Sequence, residues 1–234
     1  MTNWPRQIVC VIPARSGSKR IVGKNTLDLL GQPMISWPIV MAKKSSLFDA
    51  VIVSTDSLDI ASVATKFGAT VPFIRDKNLA DDFTGTDDVI VDAISQLGLS
   101  DADIVCCLYP TAVLLKPAQL VESFSLILEN TNSFIYTVAR YSHPVERRLH
   151  QIADGSLEFV ETEYMGTRTQ DLPDHYYDAG QFYWATVETW KSQVLNHKNR
   201  ILGYILNTND FVDIDSKKDL EIVKYHLKNR SGKY

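Results

Sequence analysis

The chain has 234 residues, 45% of them hydrophobic, with 24 Lys and Arg against 28 Asp and Glu and a formal net charge of -4. That suits one α/β domain, or one domain with an appended lobe, and the acidic balance argues against a general nucleic-acid binder. No apolar run approaches the ~20 residues of a membrane span, and Met1-Thr2-Asn3-Trp4-Pro5-Arg6 lacks the apolar core of a secretory signal.

Cys10, Cys106 and Cys107 make neither a disulfide framework nor a zinc-type spacing with the histidines. The expectation is a cytoplasmic enzyme with buried free thiols and no membrane or nucleic-acid partner.

Residues 8–13 read as a continuous apolar strand. It feeds a loop of small and basic residues, Ala14-Arg15-Ser16-Gly17-Ser18-Lys19-Arg20, running on to Gly23-Lys24-Asn25. Pro33 is expected in the first turn of a helix that ends near Ser45, distorted near its start by Pro38. Residues 50–54 form the next strand, ending at Thr55-Asp56. Residues 57–67 place Ile60, Ala61, Ala64 and Phe67 at helical spacing, and Gly68 closes that helix.

A short strand is expected over 71–74, a helix over 86–97 stopped by Gly98, and a buried strand over 104–109. A helix over 117–129 and a strand over 134–139 follow. This alternation predicts an α/β fold in three layers, a mostly parallel sheet with helices on both faces. Ligands on such sheets sit at the carboxyl ends of strands, where both the basic loop and Tyr109-Pro110-Thr111 fall.

The rhythm changes over 141–178, which is polar, aromatic and charged, with a hairpin signal at Ala153-Asp154-Gly155. Regular structure returns with a strand over 180–187, a helix over 188–195, a strand over 200–206 and a helix over 216–228. No repeat or low-complexity linker divides the chain, so residues 1–234 read as one domain with 141–178 as an inserted lobe.

In a chain of net negative charge, Arg15, Lys19, Arg20 and Lys24 gathered on one loop after a strand read as a polyphosphate cradle. Small residues let backbone N–H groups approach an anion, and cations neutralise it. Two familiar motifs do not fit. Gly17 and Gly23 cannot satisfy the dinucleotide fingerprint G-x-G-x-x-G. The P-loop G-x-x-x-x-G-K-S/T fails as well, because five residues separate Gly17 from Gly23 and Asn25 stands where the hydroxyl should be. The competing structural reading is a solvated basic surface loop.

Residues 12–20 with Lys24-Asn25, Val53-Ser54-Thr55-Asp56, Leu79-Ala80-Asp81-Asp82 and Asp213-Ile214-Asp215 together resemble the CMP-sugar synthetases (acylneuraminate cytidylyltransferases) that activate eight- and nine-carbon ulosonic acids. The blocks fall in the family's order and cover nearly the whole chain. Residues 81–86, 167–172 and 177–184 resemble the pseudaminic acid branch, with Tyr109 and Ala179-Gly180 where sialic acid members carry Gln and Asn-Gly. Val113, Lys116 and Tyr177 depart from the family pattern.

The resemblance implies a Rossmann-like nucleotidyltransferase fold with 141–178 as a dimerisation lobe, hence a homodimer. It implies that CTP and a nonulosonic acid, pseudaminic acid in the leading reading, give CMP-sugar and pyrophosphate when the anomeric hydroxyl attacks the α-phosphorus. It places Lys24 and Asn25 near the reacting phosphate and Arg15 and Lys19 on the leaving pyrophosphate. Ala14, Ser18, Arg75 and Thr86 become nucleotide contacts, against structural readings of Thr86 as a helix N-cap and Arg75 as a surface ion pair.

Tyr109, Arg168, Gln170, Asp178, Gln181 and Tyr183 become sugar contacts, Arg168 matching the carboxylate bidentately. Against that, one of Phe182 and Tyr183 should be core, and Tyr109 could be packing. The implied metal is Mg2+, which suits phosphates and hard oxygen ligands. Asp213 and Asp215 sit at i, i+2, so on an extended segment both face one cation. The rival is that Asp215 or Ser216 caps the last helix with Asp219 completing a box, which leaves Asp213 without a comparable task.

No histidine is assigned a role. Other readings stay open: another ulosonic acid (N-acetylneuraminic, legionaminic or 3-deoxy-manno-octulosonic), a sugar-phosphate nucleotidyltransferase, or a catalytically idle nucleotide-binding homologue.

Overall fold

A computed structural model describes residues 6–196 and 199–231. His197 and residues 1–5, on which the sequence reading touched, lie outside them.

The strand β1 (Ile8–Pro13) opens the fold. A 3-10 turn at Lys24–Thr26 leads into a small hairpin, β2 (Asp28–Leu29) and β3 (Gln32–Pro33), and then α1 (Ser36–Ser45). There follow β4 (Ala50–Ser54), α2 (Leu58–Lys66), α3 (Thr86–Leu97), β5 (Ile104–Leu108), α4 (Pro117–Glu129) and β6 (Ser133–Arg140). A second hairpin, β7 (Leu149–Gln151) and β8 (Leu157–Phe159), precedes β9 (Tyr176–Thr186), α5 (Val187–Asn196), β10 (Arg200–Ile205) and α6 (Lys217–Ser231).

The central sheet has six strands in the order β10-β6-β9-β5-β1-β4. β1 runs parallel to β4 and β5, and β10 parallel to β6. β9 alone is reversed, antiparallel to both β5 and β6. The segment before it brings no crossover helix, so the chain returns beside β6 in the opposite sense.

β1 shows why its sequence is an unbroken apolar run. Cys10 and Ile12 face a core built with Ile39 and Ala42 of α1, Ile60 of α2 and Leu120 of α4. Val9 and Val11 face the opposite core, with Ile90 and Ile94 of α3 and Trp190 of α5. A strand covered on both faces has no polar alternation to show. The three cysteines are buried in this sheet. No described helix is long and apolar enough to cross a membrane.

A third, smaller cluster positions the site. Leu220, Val223 and Leu227 of α6 pack against Ile21, Met34 and Ile214. That cluster lies under the basic loop and ties the carboxyl-terminal helix to it.

Four expectations need correction. Pro33 ends β3 rather than starting a helix, and its carbonyl accepts the Ser36 hydroxyl at 2.6 Å. Pro38 falls in the first turn of α1, where amide hydrogens have no intrahelical partner, so it fits there. No strand forms over 71–74: only Thr70 bridges Ile52, and Pro72 has no N–H to extend the ladder. β9 also begins at Tyr176, so the excursion from the sheet closes before Asp178.

Candidate active site

The loop after β1 is folded on itself. Ala14 N–H donates to Ser54 O at 2.9 Å, prolonging the pairing with β4. Ser16 then turns inward, its amide and hydroxyl donating to the Asp56 carboxylate at 2.8 and 2.6 Å. Partial burial would raise the Asp56 carboxyl, but the Ser16 hydrogen bonds and the Arg75 charge hold it below the usual range. Buried Asn25 donates from Nδ2 to Arg15 O at 2.9 Å and closes the loop. Gly23 takes the left-handed φ of +64° that the turn into Lys24 requires.

The cations of that loop open onto a cavity of about 470 Å³, whose lining also includes Tyr109, Pro110 and Thr111. A smaller cavity of about 230 Å³ lies between Arg15, Arg75, Thr86 and Tyr109. Another of about 430 Å³ lies between Arg20, Lys24, Asp178, Asp213 and Asp215, and Tyr109 again lines it. Tyr109 is thus the wall common to all three. Its hydroxyl lies 2.8 Å from Thr86 Oγ1, and its ring meets Tyr183 edge-on at a centroid distance of 5.7 Å. Burial pushes the Tyr109 phenol far up, so it stays a neutral O–H.

The paired carboxylates are set by the residue between them. Ile214 is fully buried in the third core, so its neighbours Asp213 and Asp215 both turn to the cavity. The helix cap is the Ser216–Asp219 box: Ser216 Oγ accepts from Asp219 N at 3.4 Å, and Asp219 Oδ2 accepts from Ser216 N at 2.7 Å and from Asp215 N at 3.1 Å. The carboxylates of Asp213 and Asp215 therefore stay out of the capping. Asp215 pairs with Arg20, and with Lys24 at 3.6 Å, while Lys24 Nζ also donates to Ile214 O at 2.6 Å. Partial desolvation and the Asp215 charge raise the Asp213 carboxyl, against the pull of Lys24 and Arg20.

Most of the residues anticipated from the sequence line this cleft. Arg15, Ser18, Lys19, Lys24 and Asn25 share the first cavity. Arg75 and Thr86 share the second. Asp178, Asp213 and Asp215 share the third. Thr86 is the first residue of α3 and Gly85 its N-cap, so capping is not the task of the Thr86 hydroxyl. Arg75 is only 4% exposed, which excludes a surface ion pair.

Ala14, Gln181 and Tyr183 line none of these cavities. Ala14 is fully buried with its N–H spent in the sheet. Gln181 is 1% exposed, its Nε2 donating to Ala179 O at 2.8 Å and Gly180 O at 3.1 Å. Tyr183 is buried against Tyr136 and Tyr109, and its hydroxyl donates to Asp178 Oδ2 at 2.7 Å. The other Asp178 oxygen accepts Gly180 N–H at 2.8 Å, so Tyr183 braces a residue that does face the cleft. Arg168 and Gln170 are exposed beside or in a 3-10 turn, Thr169–Asp171, and line none of the three cavities of their own chain.

Two acids escaped assignment from sequence. Asp56 anchors Ser16, as above. Asp82 meets Arg15 at 3.0 Å and also pairs with Lys19. Its signal in the sequence is the acidic pair Asp81-Asp82, part of one of the blocks that resemble the CMP-sugar synthetases.

A family model described as "Cytidylyltransferase" matches residues 9–153. The chain is 38% identical over 218 residues to the pseudaminic acid cytidylyltransferase of Campylobacter jejuni subsp. jejuni, 92% of this chain and 94% of the relative. It is 43% identical over 113 residues to the CMP-N,N'-diacetyllegionaminic acid synthase of Legionella pneumophila, 47% of this chain and 49% of that one. Among solved structures, a CMP:2-keto-3-deoxy-manno-octonic acid synthetase complexed with CTP superposes with a TM-score of 0.69 at 17% identity, over 96% of this chain and 99% of that chain. That last likeness bears on the fold alone.

Proposed function

The chain belongs to the cytidylyltransferase family, and from that premise we propose that it joins CTP and pseudaminic acid to give CMP-pseudaminic acid and pyrophosphate. The observation that carries the reading is the convergence of Arg15, Lys19, Lys24 and Asn25 on one cavity at the carboxyl end of β1. The 38% identity to a pseudaminic acid cytidylyltransferase supports the choice of sugar.

In this reading Arg15 and Lys19 neutralise the charge that builds on the departing pyrophosphate. Lys24 is fixed by Ile214 O and Asp215 on the wall shared by two cavities, so its ammonium meets the α-phosphate where the sugar hydroxyl arrives. Holding both reactants in one geometry supplies much of the rate in such a displacement. The cavity of about 230 Å³ beside Arg75 and Thr86 takes the base, and its size favours a pyrimidine over a purine. The cavity at Asp178 takes the sugar.

Asp213 and Asp215 fit a magnesium ion: two hard carboxylates on one wall, next to the place of the phosphates, leaving positions for phosphate oxygens and water. When bound, the ion polarises the phosphate and acidifies the attacking hydroxyl. Arg168 and Gln170, exposed on the lobe, serve the site of the other protomer in a homodimer; Leu157 and Met165, exposed large apolar residues of that lobe, favour such a contact. Buried free thiols favour a cytoplasmic setting.

The test is pyrophosphate release from CTP and magnesium with pseudaminic, legionaminic, N-acetylneuraminic and 3-deoxy-manno-octulosonic acids in parallel. Release with pseudaminic acid alone is expected. Release with another sugar alone overturns the choice of acceptor and keeps the reaction. Folded protein that releases pyrophosphate with none of them overturns the reading.

A further inference from the structure

We propose that Asp82 is a built-in counter-ion of the polyphosphate site, displaced when the triphosphate binds and returning to compete with pyrophosphate as it leaves. The inference rests on the assignment of Arg15 and Lys19 to the phosphates.

The geometry is that of an anion already in place. One Asp82 oxygen lies 3.0 Å from Arg15 and the other pairs with Lys19. Arg15 also donates to the Asp81 carbonyl. Asp82 lines the same cavity as the loop cations, so its carboxylate occupies space that phosphate oxygens need. A carboxylate and a phosphate oxygen pair make the same charge-assisted bonds to guanidinium and ammonium groups.

The segment that carries Asp82 is built to move as a piece. Asp81 Oδ1 accepts from Phe83 N at 3.0 Å, and from Thr84 N and Thr84 Oγ1 at 2.7 Å, which knits 81–84 into one turn. Phe83 at its tip is 93% exposed, so no apolar packing of that side chain pins the turn to the body. The ion pairs to Arg15 and Lys19, with Arg15 donating to the Asp81 carbonyl, hold it down. Solvent-exposed pairs of this kind are weak, and a polyphosphate carrying several charges displaces them.

Two consequences follow. The cations are kept apart from stray anions until a polyanion arrives. Pyrophosphate also faces an intramolecular competitor as it leaves, which limits product inhibition.

The experiment is calorimetric titration of the full chain with magnesium and CTP, and separately with inorganic pyrophosphate. It uses wild type, Asp82→Asn and Asp82→Ser, with circular dichroism as a check of folding. Removing the competitor is expected to tighten both ligands by about two- to tenfold, and to strengthen pyrophosphate inhibition of turnover by the same factor. A merely structural role would weaken binding. Equal or weaker binding in the folded variants overturns the proposal. Wild type that binds neither ligand overturns the functional reading, and this inference with it.

Discussion

The hydroxyls of Thr86 and Tyr109 lie 2.8 Å apart, and the bond fixes the one ring that borders all three cavities. Thr86 opens α3 and Tyr109 follows β5, so the pair ties the first turn of a helix to the end of a central strand. Replacing Thr86 by Val keeps the shape and removes one hydrogen-bond partner of a half-buried phenol. The expected loss of stability is about 1 kcal/mol, rising towards ~3 kcal/mol if no water reaches the phenol. In a double-mutant cycle with Tyr109→Phe, measured by urea unfolding, the second change should add little to the first. Additive losses would show that the two hydroxyls do not act together.

Buried tyrosines give the alkaline limb of stability. Burial lifts the phenols of Tyr109 and Tyr183 far above their ordinary 10.0, and that of Tyr136 to about 12. A group whose folded pKa is raised contributes stability that is whole below the unfolded value and lost as pH climbs through the folded one. Between pH 10 and 12 the unfolded chain sheds these protons while the folded protein keeps them, so the melting temperature should fall steeply there. Tyr136→Phe should make that fall shallower while leaving the slope near neutral pH unchanged.

How far the sequence revealed this site can be judged residue by residue. The basic loop was legible because the need for cations and small residues is local, written in consecutive positions. Asp213 and Asp215 were legible because alternation on an extended segment with an apolar residue between them needs no tertiary information. Gln181, named from the resemblance, is turned away from the cleft where β9 is irregular. Tyr183 pairs with Tyr136 but Asp178 with Val138, and Thr137 Oγ1 accepts the amides of both Gln181 and Phe182 at 3.1 and 3.2 Å. Which face a residue takes beside such a bulge is set by the pairing with β6, which a matching block of sequence does not state. The reversed direction of β9 was not foreseen either, since strand direction is set by what the preceding excursion lacks, a crossover helix.

The cap of α6 matters to the cleft as well as to the helix. Asp219 holds Ser216 and the amide of Asp215 with one oxygen. Asp219→Ala should cost about 1 kcal/mol of stability, and it should loosen Asp215 from Arg20 and Lys24. The measurable sign is a higher magnesium concentration for half-maximal turnover with kcat restored at saturation. If only the melting temperature moves, the cap and the carboxylate pair are independent.

The carboxylates themselves should behave differently. Asp213→Asn removes a donor from the proposed magnesium pair without touching an ion pair in the folded protein, since it is Asp215 that meets Arg20 and Lys24. Turnover should drop by about two orders of magnitude at saturating CTP, on the scale of losing one electrostatic contact to a reacting phosphate. Stability should hold or rise slightly, because a carboxyl raised by partial desolvation and a neighbouring charge is relieved by neutralisation. Loss of activity with a parallel collapse of the fold would refute that separation.

Lys24 offers the sharpest discrimination between binding and chemistry. Its ammonium is held by Ile214 O at 2.6 Å and Asp215 Oδ1 at 3.6 Å and its side chain is only 18% exposed, whereas Arg15 and Lys19 lie on the more exposed flank with Asp82. A preorganised charge aimed at the reacting centre acts mainly in the transition state, while flexible exposed charges act on ground-state binding. Lys24→Met should therefore lower kcat by about 100-fold or more with little change in the KM for CTP. Arg15→Ala and Lys19→Ala should raise that KM by about tenfold and reduce kcat less. Steady-state kinetics with CTP varied at saturating magnesium and sugar reads both. The reverse pattern, a KM effect at Lys24 and a kcat effect at Lys19, would move the α-phosphate to the outer rim of the cleft.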